Sequence, residues 1–247
     1  MTSTNKTLQL TSLALALLAV PASHASIVQL NASNDNQAFF DSNISTTDLI
    51  EGGSATLSGS VIASGTPNFP ASGANDGTAN FVAGLTYWGS DGTYTSQTLT
   101  FNLAGSVGGY DISTVNSIFG WPDSRSRFTG QQWKLSVTTV ANPAFTQIYA
   151  VNYQAFTGSE SAAGSTQVTL SDSGGFIATG VTALRFEFFP YAMPGDFGYS
   201  GEIGIIHELD VIGSITPVPE PSTMCLMSLG GGALLLFWKR RAPGSSR

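Results

Sequence analysis

The sequence predicts an all-β fold, a sandwich of short antiparallel strands, and two observations predict it. Apolar and polar residues alternate with period two in one segment after another, and no stretch of the central chain keeps a helical period. Turn signals separate those segments at Asn75-Asp76-Gly77, Asp91-Gly92, Gly108-Gly109, Asn142-Pro143 and Gly174-Gly175. Many short strands, each with one apolar face, bury those faces by packing in two layers.

Along the chain, Ile27–Leu30 reads as the first strand. Residues 31–70 are polar and weakly patterned, a long loop interrupted by a strand at Ala55–Ala63. In "QTLTFNL", Leu99, Phe101 and Leu103 share one face, and Thr98, Thr100 and Asn102 the other. Ile112–Phe119 follows. In "QWKLSVTTV", Trp133, Leu135 and Val137 alternate with Lys134, Ser136 and Thr138. Strands at Phe145–Val151 and Gln167–Leu170 come next. In "ALRFEFF", Leu184, Phe186 and Phe188 oppose Arg185 and Glu187. The last strand, "IIHELDVIG", sets Ile205, His207, Leu209 and Val211 in one register. No internal repeat of fixed period is present.

Both ends carry apolar runs of a different kind. Lys6 precedes Leu8–Val20, and small residues Ser23 and Ala25 follow, so residues 1–25 read as a signal peptide cut after Ala25. The C-terminus reads "TPVPEPSTMCLMSLGGGALLLFWKRRAPGSSR". Met224–Trp238 is fifteen residues, about 22 Å as a helix against a bilayer core of about 30 Å. It spans a membrane only with thinning or with its flanks drawn in. The basic cluster Lys239, Arg240 and Arg241 stays cytoplasmic, which puts the preceding residues outside, as the signal peptide also requires. The organisation is therefore a signal peptide at 1–25, an exported domain at 26–213, a Pro-rich linker at 214–223, a short transmembrane helix at 224–238 and a basic tail at 239–247.

Charge narrows the partners. Residues 26–213 hold fifteen acids and only four bases, Arg125, Arg127, Lys134 and Arg185, a formal charge of −11. Such a surface repels nucleic acid and anionic lipid and can attract calcium, which takes oxygen ligands. The one cysteine, Cys225, lies in the tail helix, which excludes a disulfide, a cysteine nucleophile and a Cys/His zinc site from the exported domain. His207 is that domain's only histidine, and it sits within a strand pattern rather than in a nucleophile motif. Glu160, Glu187, Glu202 and Glu208 are the glutamates from which a glycosidase pair would be drawn, alongside a reading as a non-catalytic protein.

The order of the C-terminal parts resembles the PEP-CTERM sorting tail of Gram-negative bacteria. The matching residues are Pro219, Glu220, Pro221 and Ser222, then Met224–Trp238 with Gly230, Gly231 and Gly232, then Lys239-Arg240-Arg241. The resemblance implies processing near the triplet by an exosortase, a membrane transpeptidase, after transient residence in the inner membrane. It implies a destination at the cell surface or in an exopolysaccharide matrix, as in a biofilm.

The exported domain, over residues 71–213, resembles the galactose-binding-like jelly rolls of the discoidin and coagulation-factor C-type group. The points of match are Asp76-Gly77, Thr86 before Trp88, Leu99–Leu103, the basic loop ahead of Trp133, Val181–Phe186 and Glu208. That resemblance implies a structural calcium ion, with Asp76, Thr86 and Glu208 as side-chain ligands. The gap of eight residues between Gly77 and Thr86 departs from the family's loop. A sugar site is read from the loops themselves. Rings that stack on sugar faces and planar groups that pair with hydroxyls occur together in "GWPDSRSR" (Trp121, Asp123, Arg125, Arg127), in "YWGSDGTY" and in "FPYAMPGDFGY" (Tyr191, Tyr199). The expected function is an exported protein that binds carbohydrate or other matrix components. The alternatives are a structural matrix protein without a ligand and a secreted hydrolase.

Overall fold

The computed structural model describes residues 26–34, 44–59, 71–78, 85–89, 96–121, 129–156, 164–189 and 202–218. Among the described residues ten strands form, every neighbouring pair antiparallel: β1 (Ile27–Asn34), β2 (Ala55–Gly59), β3 (Leu85–Gly89), β4 (Gln97–Asn102), β5 (Tyr110–Trp121), β6 (Gln131–Thr139), β7 (Thr146–Tyr153), β8 (Gly164–Asp172), β9 (Ala178–Phe188) and β10 (Glu202–Ile215). A 3₁₀ turn, Ala71–Ala74, lies between β2 and β3.

The pairing folds over on itself. One layer runs β1-β8-β5-β10-β3, and the other runs β2-β4-β9-β6-β7. β9 joins them, pairing with β5 over its first residues and with β4 and β6 over the rest. Gly180, at φ 62°, lies at that crossing. Gly109 is pressed against it: a Cβ there would stand 2.5 Å from the Gly180 carbonyl, and its own φ is 75°, so only glycine fits.

The alternation written in the sequence is the alternation buried. Leu99 and Phe101 of β4, Trp133 and Leu135 of β6, and Leu184, Phe186 and Phe188 of β9 all enter the core. Phe186 is its centre, with the Trp133 ring at 5.8 Å, Phe188 stacked at 6.1 Å and Phe101 edge-on at 6.1 Å. Phe119 of the other layer meets Phe188 at 6.0 Å. These offset and edge-on contacts are the geometries that aromatic quadrupoles prefer. The buried Trp133 indole N–H is satisfied by Gln131 Oε1 at 3.1 Å. Gln131 also accepts from Ser117 Oγ at 2.6 Å and donates to the Thr166 carbonyl at 3.1 Å.

Four features differ from the sequence expectation. β1 continues through Asn34 into the stretch read as loop, held by pairing with β8. β3 was not foreseen; it is five residues long and pairs with the start of β10. In β10 the register shifts between Ile206 and Glu208. The bulge changes which parity faces inward, so Ile206, not Ile205 or His207, joins Leu209 and Val211 in the core cluster. β10 also runs on through Ser214 and Ile215, which pair with Asp111 and Tyr110 at the start of the segment read as linker.

The sandwich has two distinct ends. β1 begins and β10 finishes at one, here the tail end; Trp121, Gln131, Gly164 and Phe188 lie at the other, the loop end. The signal segment and Met224–Trp238 lie outside the described residues. Among the described residues no helix is long and apolar enough to cross a membrane.

Candidate functional site

The clearest chemical anomaly is on β10. Glu208 is fully buried, and neither carboxylate oxygen has a hydrogen-bond partner. The bulge turns it away from the apolar core, on the same face as Asp210. Two segments cover it. Residues 45–50 run along the edge of β10: Leu49 N donates to the Val211 carbonyl at 2.9 Å, Val211 N to Asp48 Oδ1 at 3.3 Å and Ser45 N to Asp210 Oδ1 at 3.2 Å. The turn at Asn75–Gly77 packs on this segment through Asn75, whose amide donates to the Gly53 carbonyl at 3.0 Å, while Gly52 N donates to the Asn75 carbonyl at 2.9 Å.

The result is an acidic cluster built from three separate parts of the chain. Burial, then the charges of Asp210, Asp76 and Glu51, push Glu208 up to about 9. The Gly77 amide acts the other way, but its geometry falls short of a hydrogen bond to either oxygen. Burial also raises Asp210, to about 6, with the Ser45 amide holding it down and Asp48 pushing it up. Asp48 and Glu51 are raised first by burial as well. Gly77, at φ 71°, lies under the Glu51 carboxylate; a Cβ there would stand 3.0 Å from Glu51 Oε1.

Of the three expected calcium ligands, the structure brings Asp76 and Glu208 together. Asp76 Oδ1 accepts from Thr78 N at 3.0 Å and from Thr78 Oγ1 at 2.6 Å. The Thr86 backbone pairs with Ile205 in β3, and its side chain is outside what is described. Glu51, Asp48 and Asp210 were not singled out from sequence, because nothing local marks a loop acid as adjacent to a strand about 160 residues later. The donor set is hard oxygen, which fits calcium in kind, and the orphaned Glu208 oxygens are the observation that a cation would explain. Among the described residues no group of three or more His, Cys, Asp or Glu side chains is arranged as a metal centre, so an ion here would draw on main-chain oxygens as well.

The second candidate is the loop end. Trp121 closes β5 opposite Gly164, and Thr129 stands beside it, its carbonyl accepting from Thr166 Oγ1 at 2.6 Å. The segment between them holds Asp123, Arg125 and Arg127. Phe188 and Glu202 flank the segment with Tyr191 and Tyr199. Gly89, paired with Glu202, and Gln97, paired with Phe188, flank the third candidate loop. All three therefore leave and return at one end. Asp123, Arg125, Arg127, Tyr191 and Tyr199, and the Trp121 side chain, lie outside the described residues, as do the sorting residues Pro219, Glu220, Pro221 and Ser222 and the basic cluster Lys239, Arg240 and Arg241. Beside this end, a shallow groove of about 200 Å³ runs along Gln132, Lys134, Asn152 and Phe189. The Lys134 ammonium sits 4.6 Å over the Phe189 ring.

Of the residues from which hydrolytic chemistry would be drawn, Glu160 and the Glu202 side chain lie outside the described residues, and His207, Glu187 and Glu208 lie within them. His207 is buried with Nε2 2.9 Å from the Gly120 carbonyl, which assigns that nitrogen the proton. Glu187 accepts from Ser96 Oγ at 2.9 Å on the outer face of one layer, and Glu208 faces out of the other.

Residues 217–241 match the PEP-CTERM protein-sorting motif. No curated protein matches the chain. Among solved structures it is similar to the family 32 carbohydrate-binding module of C. perfringens NanJ in complex with galactose, at 17% identity and a TM-score of 0.35, covering 64% of this chain and 92% of that one. It is similar to an F5/8 type C domain from Bacteroides fragilis at 10% identity and a TM-score of 0.38, covering 66% and 93%. It is also similar to CBM32-3 from a family 31 glycoside hydrolase of Clostridium perfringens at 15% identity and a TM-score of 0.40, covering 74% and 95%.

Proposed function

We propose that the chain is an exported, non-catalytic protein of the cell surface or exopolysaccharide matrix of a Gram-negative bacterium. In this reading it binds carbohydrate at the loop end and loses its tail to an exosortase at Pro219–Pro221. The observation that carries the reading is the shared origin of the three aromatic and polar loops at one end of the sandwich, opposite the strand end that leads into the sorting motif. Sugar recognition needs rings and planar hydrogen-bonding groups presented together. Trp121, Tyr191 and Tyr199 supply the rings, and Asp123, Arg125 and Arg127 supply the polar groups.

Calcium belongs to the same proposal as a structural ion. Glu208 and Asp76, with Thr86 and the newly found Glu51, would hold it. When bound, the ion supplies positive charge and joins the 44–54 and 71–78 segments to β10. The unpartnered Glu208 oxygens support this. A calorimetric titration with calcium that stays flat, with an unmoved Tm, removes it.

The test of function is a glycan array that includes the producing cell's own exopolysaccharide. Binding that is lost in both Trp121→Ala and Arg125→Ala is the expected result. Binding to no glycan turns the reading into that of a matrix protein without a ligand, and hydrolysis abolished by one Glu substitution turns it into that of an enzyme. Processing is read separately, from the mass of the mature protein. A C-terminus near residue 220 is expected, and a mass that retains Trp238 and the arginines after it makes this a simple tethered protein.

A further inference from the structure

We infer that the tail end of the sandwich is a membrane-resting surface, seated on the lipid interface of the bilayer that holds Met224–Trp238 before scission. This rests on the proposed residence of that segment in the membrane.

Four stretches meet at this end: residues 103–110, 139–145, 173–181 and 212–218. Their contact is direct. Val140 N donates to the Gly180 carbonyl at 2.9 Å, Thr216 N to the Gly109 carbonyl at 3.0 Å and Gly180 N to Thr216 Oγ1 at 3.3 Å. None of the four contains an Asp, Glu, Lys, Arg or His. In a domain of charge −11 that is a marked segregation. The acid just inside, Asp111, is buried, accepting from Thr216 Oγ1 at 2.6 Å and Gly180 N at 3.1 Å. Asp172 stands at the rim, its Oδ1 bound by Gly174 N.

In place of charge this end presents apolar tips. Val107 is 91% exposed, Ile215 61%, Val140 57%, Val218 56% and Phe176 43%. Water is a poor neighbour for all five, and a headgroup boundary accepts such side chains. A charged surface here would meet anionic lipid within a Debye length of about 8 Å; this one has no charge at its tips to repel.

Position fixes the occupant. The chain leaves the domain at this end, and Thr216 is clamped there by Asp111 and Gly109. Val218 lies against Gly108, where a Cβ would meet its methyl at 2.7 Å. Only five residues separate Val218 from Met224, a reach of at most about 20 Å when extended. With the apolar segment in the bilayer, the nearest large surface to these tips is lipid. The loop end then faces away from it, about 25 Å up the eight-residue β1.

The experiment uses the full chain with Cys225→Ser, reconstituted in vesicles of phosphatidylethanolamine and phosphatidylglycerol. An environment-sensitive fluorophore is attached at Val107→Cys or, at the loop end, at Ser33→Cys. Flotation reports tail insertion independently of either label. The expected result is flotation, with blue-shifted emission and quenching by headgroup-region nitroxide lipid at position 107 and neither at position 33. Adding Val140→Asp and Phe176→Asp, both at exposed tips, abolishes the shift at position 107 and leaves flotation intact. Flotation with position 107 as wet as position 33 overturns the inference. A shift at position 107 that appears without vesicles and grows with protein concentration also overturns it, in favour of a second copy. Failure to float overturns the tail reading and this inference with it.

Discussion

Replacing Glu208 by Gln removes one ionisable group and almost no volume, and its effect on stability should depend on pH in a defined way. Folding raises this carboxyl from its ordinary 4.5 to about 9, so the folded state binds the proton more tightly. The stabilisation is full below about pH 4.5 and is lost as pH rises towards about 9, at about 1.4 kcal/mol per pH unit. At pH 7 without calcium, holding this carboxyl in the fold therefore costs about 3 kcal/mol relative to acid conditions. Glutamine is already neutral and does not incur this cost. In chelator, Glu208→Gln should gain on the wild type by about 1.4 kcal/mol for each unit between pH 5 and pH 8. For a domain of this size a difference of about 3 kcal/mol moves Tm by roughly 6–12 °C. Thermal denaturation across that range, in a chelator series and a calcium series, is the assay. On the proposed calcium site, the ion should narrow this difference. At a concentration a hundredfold above Kd it should stabilise the wild type by about 2.7 kcal/mol, nearly offsetting the cost at pH 7, and the glutamine variant should gain little. Parallel pH curves for the two proteins in chelator would refute the reasoning, because they would mean that Glu208 reaches water or a cationic partner.

Other substitutions test other parts of the fold. Phe186→Ala removes the ring at the centre of the aromatic core and should cost about 3–5 kcal/mol, read as a fall in the denaturant midpoint. Gly77→Ala combines a left-handed backbone with pressure on the Glu51 carboxylate and should lose about 1–2 kcal/mol. Gly52→Ala, also at positive φ but with open space around it, should lose less, and equal losses would exclude a role for the Glu51 contact. Thr216→Val takes the 2.6 Å hydrogen bond from buried Asp111 and should cost about 1–3 kcal/mol, measurable as a lower Tm of the tail-less domain.

The sequence made the strand interiors legible because period two is a local signal. Phe186 and Phe188 announce an inward face without reference to anything else in the chain. The tail was legible for the same reason, since motif, apolar run and basic cluster stand in one short segment. What escaped depends on distant partners or on a break in the period. Glu51 meets Glu208, and Asp48 meets Asp210, only because residues 45–50 fill the edge of β10. The bulge after Ile206 exchanges inward and outward residues, and no residue near it signals the change. β3 is short and bounded by glycine, and its pairing with β10 is what makes it a strand. Asp76 and Glu208 share no local pattern, and only the family resemblance names them together.

The separation of charge between the two ends follows from the alternation of strand direction. From β3 onward, each strand reverses the one before, so segments after odd strands open at the loop end and those after even strands at the tail end. Residues 90–95, 122–128, 157–163 and 190–201 belong to the first group and contain Asp91, Asp123, Arg125, Arg127, Glu160 and Asp196. Residues 103–109, 140–145 and 173–177 belong to the second and contain no charge. β10 is even, so the sorting tail emerges with the second group. A chain that stopped one strand earlier, after β9, would send the same tail out at the end that carries these acids and arginines, beside the candidate sugar loops. The reversal of direction from β3 through β10 therefore keeps the strand end that leads into the sorting motif apart from the candidate binding surface.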